Sequence, residues 1–140
     1  MKSKTLSGTL VALLFSFLAL ADSSSAPADD PFARYLYPPD RVMAHAMELG
    51  LDDAQKTSIK SEVQKAQGKF VDLQFELQGE SEKMVRLLQQ KPVDEAGVLA
   101  EVDRILALEK DIKKTQISLL VRIKNVLTAA QQEKLSEASR

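Results

Sequence analysis

Met43, His45 and Met47 come first among the residues that could do chemistry, because thioether and imidazole donors suit copper and other soft or borderline ions such as zinc and nickel. Their spacing works against a shared site. On a helix Met43 and Met47 share one face at i and i+4, while His45 projects about 200° away. Met43 and Met47 are therefore expected in a core or interface, with His45 at the surface. Weak binding of copper, zinc or nickel is the only cofactor role this group leaves open. His45 is the single histidine of the 140-residue chain and cysteine is absent, which removes thiolate metal sites, thiol nucleophiles and disulfides. Carboxylates are plentiful, but Glu62, Asp72, Glu76, Glu82, Glu101, Asp103 and Asp111 are distributed among lysines as charges on solvated helix faces are. With no glycine-rich phosphate loop and no Gly-x-Ser-x-Gly elbow, no catalytic residues are expected and the chain is not read as an enzyme.

The elements that would position these residues are helices. Leu, Ala, Lys, Glu and Gln prevail after residue 40, and these side chains lose little rotamer freedom on a helix. Before that point the chain has two other segments. Lys2 and Lys4 precede an apolar stretch from Leu6 to Leu20, and Ala19-Leu20-Ala21 offers small residues around a bulkier one, so residues 1–21 read as a cleaved secretory signal. A second small-residue triplet, Ala26-Pro27-Ala28, leaves the cut open by several residues. The stretch is shorter than the roughly 20 residues a membrane span needs. Residues 22–39, rich in Ser, Ala, Asp and Pro with Phe32, Tyr35 and Tyr37 near the end, read as a flexible or extended arm. Residues 40–140 form the single folded domain. Nineteen Lys and Arg stand against 20 Asp and Glu without a basic stripe, so nucleic acid is not an expected partner.

Within the domain Asp40 is placed to cap a short helix over 41–49, stopped by Gly50. A long helix follows to Lys91-Pro92, roughly 55 Å at 1.5 Å per residue. Along it Ile59, Val63, Ala66, Phe70, Leu73, Leu77 and Met84 recur at steps of four and three, the seam of a supercoiled pair. Beyond Pro92-Val93-Asp94 a second long helix runs to about Val126, with Val98, Val102, Ile105, Ile112, Leu119, Ile123 and Val126 as its seam, interrupted by Glu109 and Gln116. The turn between them is short, so the two must be antiparallel. The expected fold is all-α: a long antiparallel helical hairpin with short flanking helices. Leu99, Leu106, Leu108, Ile117, Leu120 and Val121 widen the second apolar face beyond what one partner covers, which predicts a homodimer.

Two helix starts carry the same pattern. Leu51-Asp52-Asp53-Ala54-Gln55 and Leu127-Thr128-Ala129-Ala130-Gln131 each place a capping oxygen three residues before a glutamine that can reach back to it. These boxes resemble the paired Leu-Thr-x-x-Gln motifs of the Spy/CpxP family of periplasmic proteins, which includes ATP-independent chaperones and related heavy-metal-resistance sensors. The resemblance covers about residues 40–137; the second copy matches in full, and the first has Asp52 where the motif has threonine. It implies a bent helical hairpin that dimerises into a thin cradle. On the physical reading Leu51, Asp52, Gln55, Leu127, Thr128 and Gln131 are structural caps.

The function expected from the resemblance is that of a periplasmic chaperone or envelope-stress adaptor working without ATP, with unfolded or misfolded periplasmic proteins as partners. The alternative is a heavy-metal sensor that signals to a membrane sensor protein, with Met43, His45 and Met47 as its ligands. Client contact is assigned to Phe70, Phe75, Leu77, Met84 and Leu88, since these cannot all face one seam and exposed apolar patches near basic residues suit weak capture of unfolded segments. Phe75, two positions after Leu73, is expected to point away from the hairpin partner.

Overall fold

Pro38 and Pro39 set the start of the first helix, since proline has no amide hydrogen to leave unused in the first turn and its φ suits that position. In the computed structural model, which describes Phe32 and residues 34–138, α1 runs over Pro39–Ala44 and α2 over Ala46–Leu49. Residues 1–21 and the small-residue triplets lie outside the described residues. Asp40 falls inside the first turn rather than capping it; Pro38 holds the N-cap position without a side-chain bond. The expected helix over 41–49 is broken at His45 (φ −97°, ψ 14°). Gly50 then takes a left-handed conformation, φ 63°, and ends α2, a backbone state that a Cβ would strain.

Helix α3 covers Asp53–Leu88 and α4 covers Glu95–Val126. They pack as an antiparallel hairpin, and α5, Ala129–Glu137, closes the chain. The fold is all-α, with no strand among the described residues. Two cross-helix ion pairs mark the register. Arg122 Nη1 meets Glu62 Oε2 at 2.9 Å, and three heptads further along Lys83 Nζ meets Glu101 Oε2 at 2.7 Å. The acid sits on α3 in the first rung and on α4 in the second, so a slip of one heptad would break both.

The core lies at one end of the hairpin. Val42, Leu49, Leu51, Ile59, Ile123, Leu127 and Leu135 are buried together, with Ala46, Val63, Leu119 and Val126 packed against them. Each such side chain contributes about 1.5–3 kcal/mol by leaving water. Tyr37, assigned from sequence to the arm, is part of this core: its hydroxyl donates to the Gln132 carbonyl at 3.1 Å. Lys124 Nζ stands 5.9 Å from the ring centres of both Tyr35 and Tyr37 and donates to the Tyr35 carbonyl, so the segment entering α1 is strapped to the end of α4.

The seam of α3 follows the expected phase, with Ile59, Ala66 and Leu73 buried. That of α4 follows it at the core end, where Ile123 is buried and Leu119 and Val126 pack on the core. Further along the buried line shifts by one residue: Glu101 and Thr115 are buried and Leu108 is partly buried, next to the expected positions Val102, Glu109 and Gln116. The apolar arc of α4 is wide enough that periodicity alone cannot choose its centre, and the charge of Lys83 opposite makes Glu101 acceptable in the interface.

Candidate functional site

The two capping boxes are one site. Gln55 N–H donates to Asp52 Oδ1 at 2.7 Å, and Gln131 N–H donates to Thr128 Oγ1 at 3.3 Å. Each glutamine carbonyl in turn accepts from its own cap's N–H, at 3.2 Å and 2.9 Å. The bond to Asp52 is the shorter of the two. The amide groups then cross over. Gln55 Nε2 donates to the Val126 carbonyl and to Gln131 Oε1, while Gln131 Nε2 donates to the Leu49 carbonyl and to Gln55 Oε1. The ends of α2 and α4 and the starts of α3 and α5 are thereby tied at a single node, above buried Leu51 and Leu127. Sequence spacing gives each box separately; that the two boxes clasp each other is visible only in three dimensions.

A second polar cluster sits in the hairpin interface. Glu101, expected among solvated charges, is fully buried at 0% exposure. Its Oε2 accepts from Lys83 at 2.7 Å and from Arg104 at 2.9 Å, and Lys83 also reaches Glu80 at 3.4 Å. Glu101 Oε1 is buried without a hydrogen-bond partner. The hydrogen bond with Glu80, then that from Lys83, holds the Glu101 carboxyl down at about 2, against the burial that would raise it. Lys83 is pushed up in return, chiefly by Glu101. The signal that could have found this cluster is the Lys83–Glu101 register itself, since it repeats that of Glu62 and Arg122.

The candidate client residues separate into two sets. Phe70, Leu77 and Met84 are partly buried in the seam, whereas Phe75 is 72% exposed and Leu88 is also exposed. Val71, one turn from Phe75, is exposed beside it. On α4, Leu99, Leu106 and Val121 are exposed on the side away from α3. The hairpin therefore carries apolar side chains on its outer faces as well as between its helices.

Met47 is 96% exposed and Met43 42%, so neither fills the core of this chain. They lie on either side of the helix break at His45, Met43 in α1 and Met47 in α2. His45 Nδ1 is 2.8 Å from Glu48 Oε2, beside an open cleft of about 270 Å³ lined also by Leu49, Lys134 and Leu135. Among the described residues no cluster of three or more His, Cys, Asp or Glu could hold a metal ion. No described helix is long and apolar enough to cross a membrane.

Fold and node together define a helical-hairpin protein clasped by two glutamine capping boxes. The chain belongs to the heavy-metal resistance family, whose sequence profile matches residues 8–134 and which is related to the Spy/CpxP-like proteins bearing the Leu-Thr-x-x-Gln motif. No curated protein and no solved structure matches the chain.

Proposed function

We propose that this member of the heavy-metal resistance family is an exported, non-enzymatic chaperone or stress adaptor of the periplasm that captures unfolded proteins without ATP. The observation that supports it best is the row of apolar side chains on the outer faces, above all Phe75 with Val71 beside it. A large exposed aromatic off the hairpin seam has no structural use in the chain itself, and contiguous exposed apolar surface is a recognised mark of contact with another protein. Leu99, Leu106 and Val121 on α4 support self-association through that helix. The test is light scattering of a denatured model protein with the mature chain and no nucleotide. Aggregation is expected to fall as the chain approaches equimolar amounts. Phe75→Ser is expected to weaken that suppression with an unchanged melting curve and unchanged mass in sedimentation; a simultaneous fall of all three would place Phe75 in a structural interface instead.

A second reading, a metal sensor that passes its signal to a membrane partner, draws support from the family's description and from the exposure of Met43 and Met47 beside His45. Thioethers open to solvent suit a soft ion. Calorimetric titration with copper, zinc and nickel separates the two: stoichiometric submicromolar binding that is lost in His45→Ala favours the sensor, and its absence leaves the chaperone.

A further inference from the structure

We propose that the part of the hairpin distal to the glutamine node, from Leu77 on α3 to Leu108 on α4, opens as a unit of its own and that Glu101 is its latch. The distribution of buried residues carries the first half of this inference. Between Leu73 on α3 and Thr115 on α4, Glu101 is the only buried residue among those described. Leu77, Met84, Val98, Val102 and Ile105 are only partly covered there, while the apolar core is gathered at the other end. Regions with few buried apolar contacts open at lower free energy than the core they are joined to. Gly79 adds to this, since it lies in the helix with open space where a Cβ would stand.

The latch follows from the charges. Those that face Glu101 are Glu80 and Lys83 of α3 and Arg104 of its own helix. Lys83 and Arg104 both donate to Glu101 Oε2, so one buried anion serves two cations. Protonating Glu101 removes its attraction for both cations and leaves Lys83 and Arg104 as like charges at the interface, with a buried polar group no longer compensated. The hydrogen bonds that hold the Glu101 carboxyl low make this an event of strongly acidic solution, which an exposed glutamate would not need. Opening would uncover the partly buried seam residues Leu77 and Met84.

Hydrogen exchange of the mature chain, followed by mass spectrometry at pH 7 and pH 3 and corrected for intrinsic rates, tests this. In the wild-type chain, protection over 77–108 is expected to fall by about tenfold or more at pH 3 while that around Ile59 and Ile123 is retained. Glu101→Gln is expected to show the same distal loss already at pH 7. Glu101→Leu, which substitutes packing for charge, is expected to keep the distal segment protected at both pH values. Loss of protection spread evenly along α3 and α4 in either the acid or the Gln variant would make the hairpin one cooperative unit and overturn the proposal. No distal change in Glu101→Gln, or a Glu101→Leu chain that remains acid-labile there, would overturn the role of Glu101.

Discussion

Gln131 can do what glutamate in its place cannot, because its amide both accepts from the Thr128 N–H and donates to the Leu49 carbonyl and to Gln55. A carboxylate has no hydrogen to donate and would bring a charge among two acceptors in a buried setting. Gln131→Glu is therefore expected to lower stability by about 1–3 kcal/mol, the range for leaving a buried acceptor without its donor, measured by urea unfolding. Gln55 makes the same kinds of bond from a more exposed position, so Gln55→Glu should cost less. Thr128 contributes through its hydroxyl alone, and Thr128→Ala is expected to lower stability by about 0.5–2 kcal/mol with the oligomeric state unchanged in sedimentation. An unaltered melt with an altered result in the light-scattering test would show instead that Thr128 has a role beyond capping.

At the scale of elements, α3 is a 36-residue helix that contains Gly68 and Gly79, and neither glycine has any atom near the place a Cβ would take. Nothing in the packing asks for glycine at 79. Gly79→Ala is expected to stabilise the protein by about 0.5–1 kcal/mol, since it lowers the backbone freedom of the unfolded chain without meeting a neighbour; thermal unfolding checks it. Gly50 is the contrasting case, since its φ of 63° makes a side chain unwelcome there even though the space is open. Helix α4 carries apolar residues on more of its circumference than α3 covers, which is why periodicity placed Ile123 inward but not the inward face of the distal half. Glu101 and Thr115 lie inward, and Leu99, Leu106 and Val121 are left outside.

For the whole molecule the acid limb of the stability curve is set by depressed carboxyls. The folded value of Glu101 lies at about 2 against an ordinary 4.5, and Glu62 is lowered by hydrogen bonds from Arg122 and then Lys65. A carboxyl depressed by folding contributes stability that is fully present above its unfolded value and is lost as pH falls through the folded one. The melting temperature is therefore expected to be flat above about pH 5 and to fall between about pH 4.5 and 2. Glu62 is solvent-accessible and screened, so the greater share of that slope should vanish in Glu101→Leu and little of it in Glu62→Gln. Lys83, raised by Glu101, contributes stability below its unfolded value and loses it only as pH rises past its folded one, in strongly alkaline solution. Calorimetric melts of the three chains from pH 2 to 8 check the acid limb; an equal slope in wild type and Glu101→Leu would mean other groups dominate.

Local rules were enough to determine much of this protein. The 3.5-residue recurrence from Ile59 to Leu77 dictates a seam, the break at Pro92 dictates an antiparallel return, and the oxygen-to-glutamine spacing at residues 52–55 and 128–131 dictates two helix starts. Each depends on residues within a turn or two of one another. The tertiary structure alone decided the rest. That Gln55 and Gln131 bind each other depends on two segments 76 residues apart meeting. The docking of α1 on α5 likewise joins distant segments, with the Arg41 guanidinium donating to the Leu135 carbonyl. Glu101 is the clearest instance: its neighbours along the chain mark it as a surface charge, and only the register of α3 against α4 brings Lys83 close enough to make its burial tolerable. Charge burial is decided by what lies across an interface, and a one-dimensional pattern of polar and apolar residues carries no record of it.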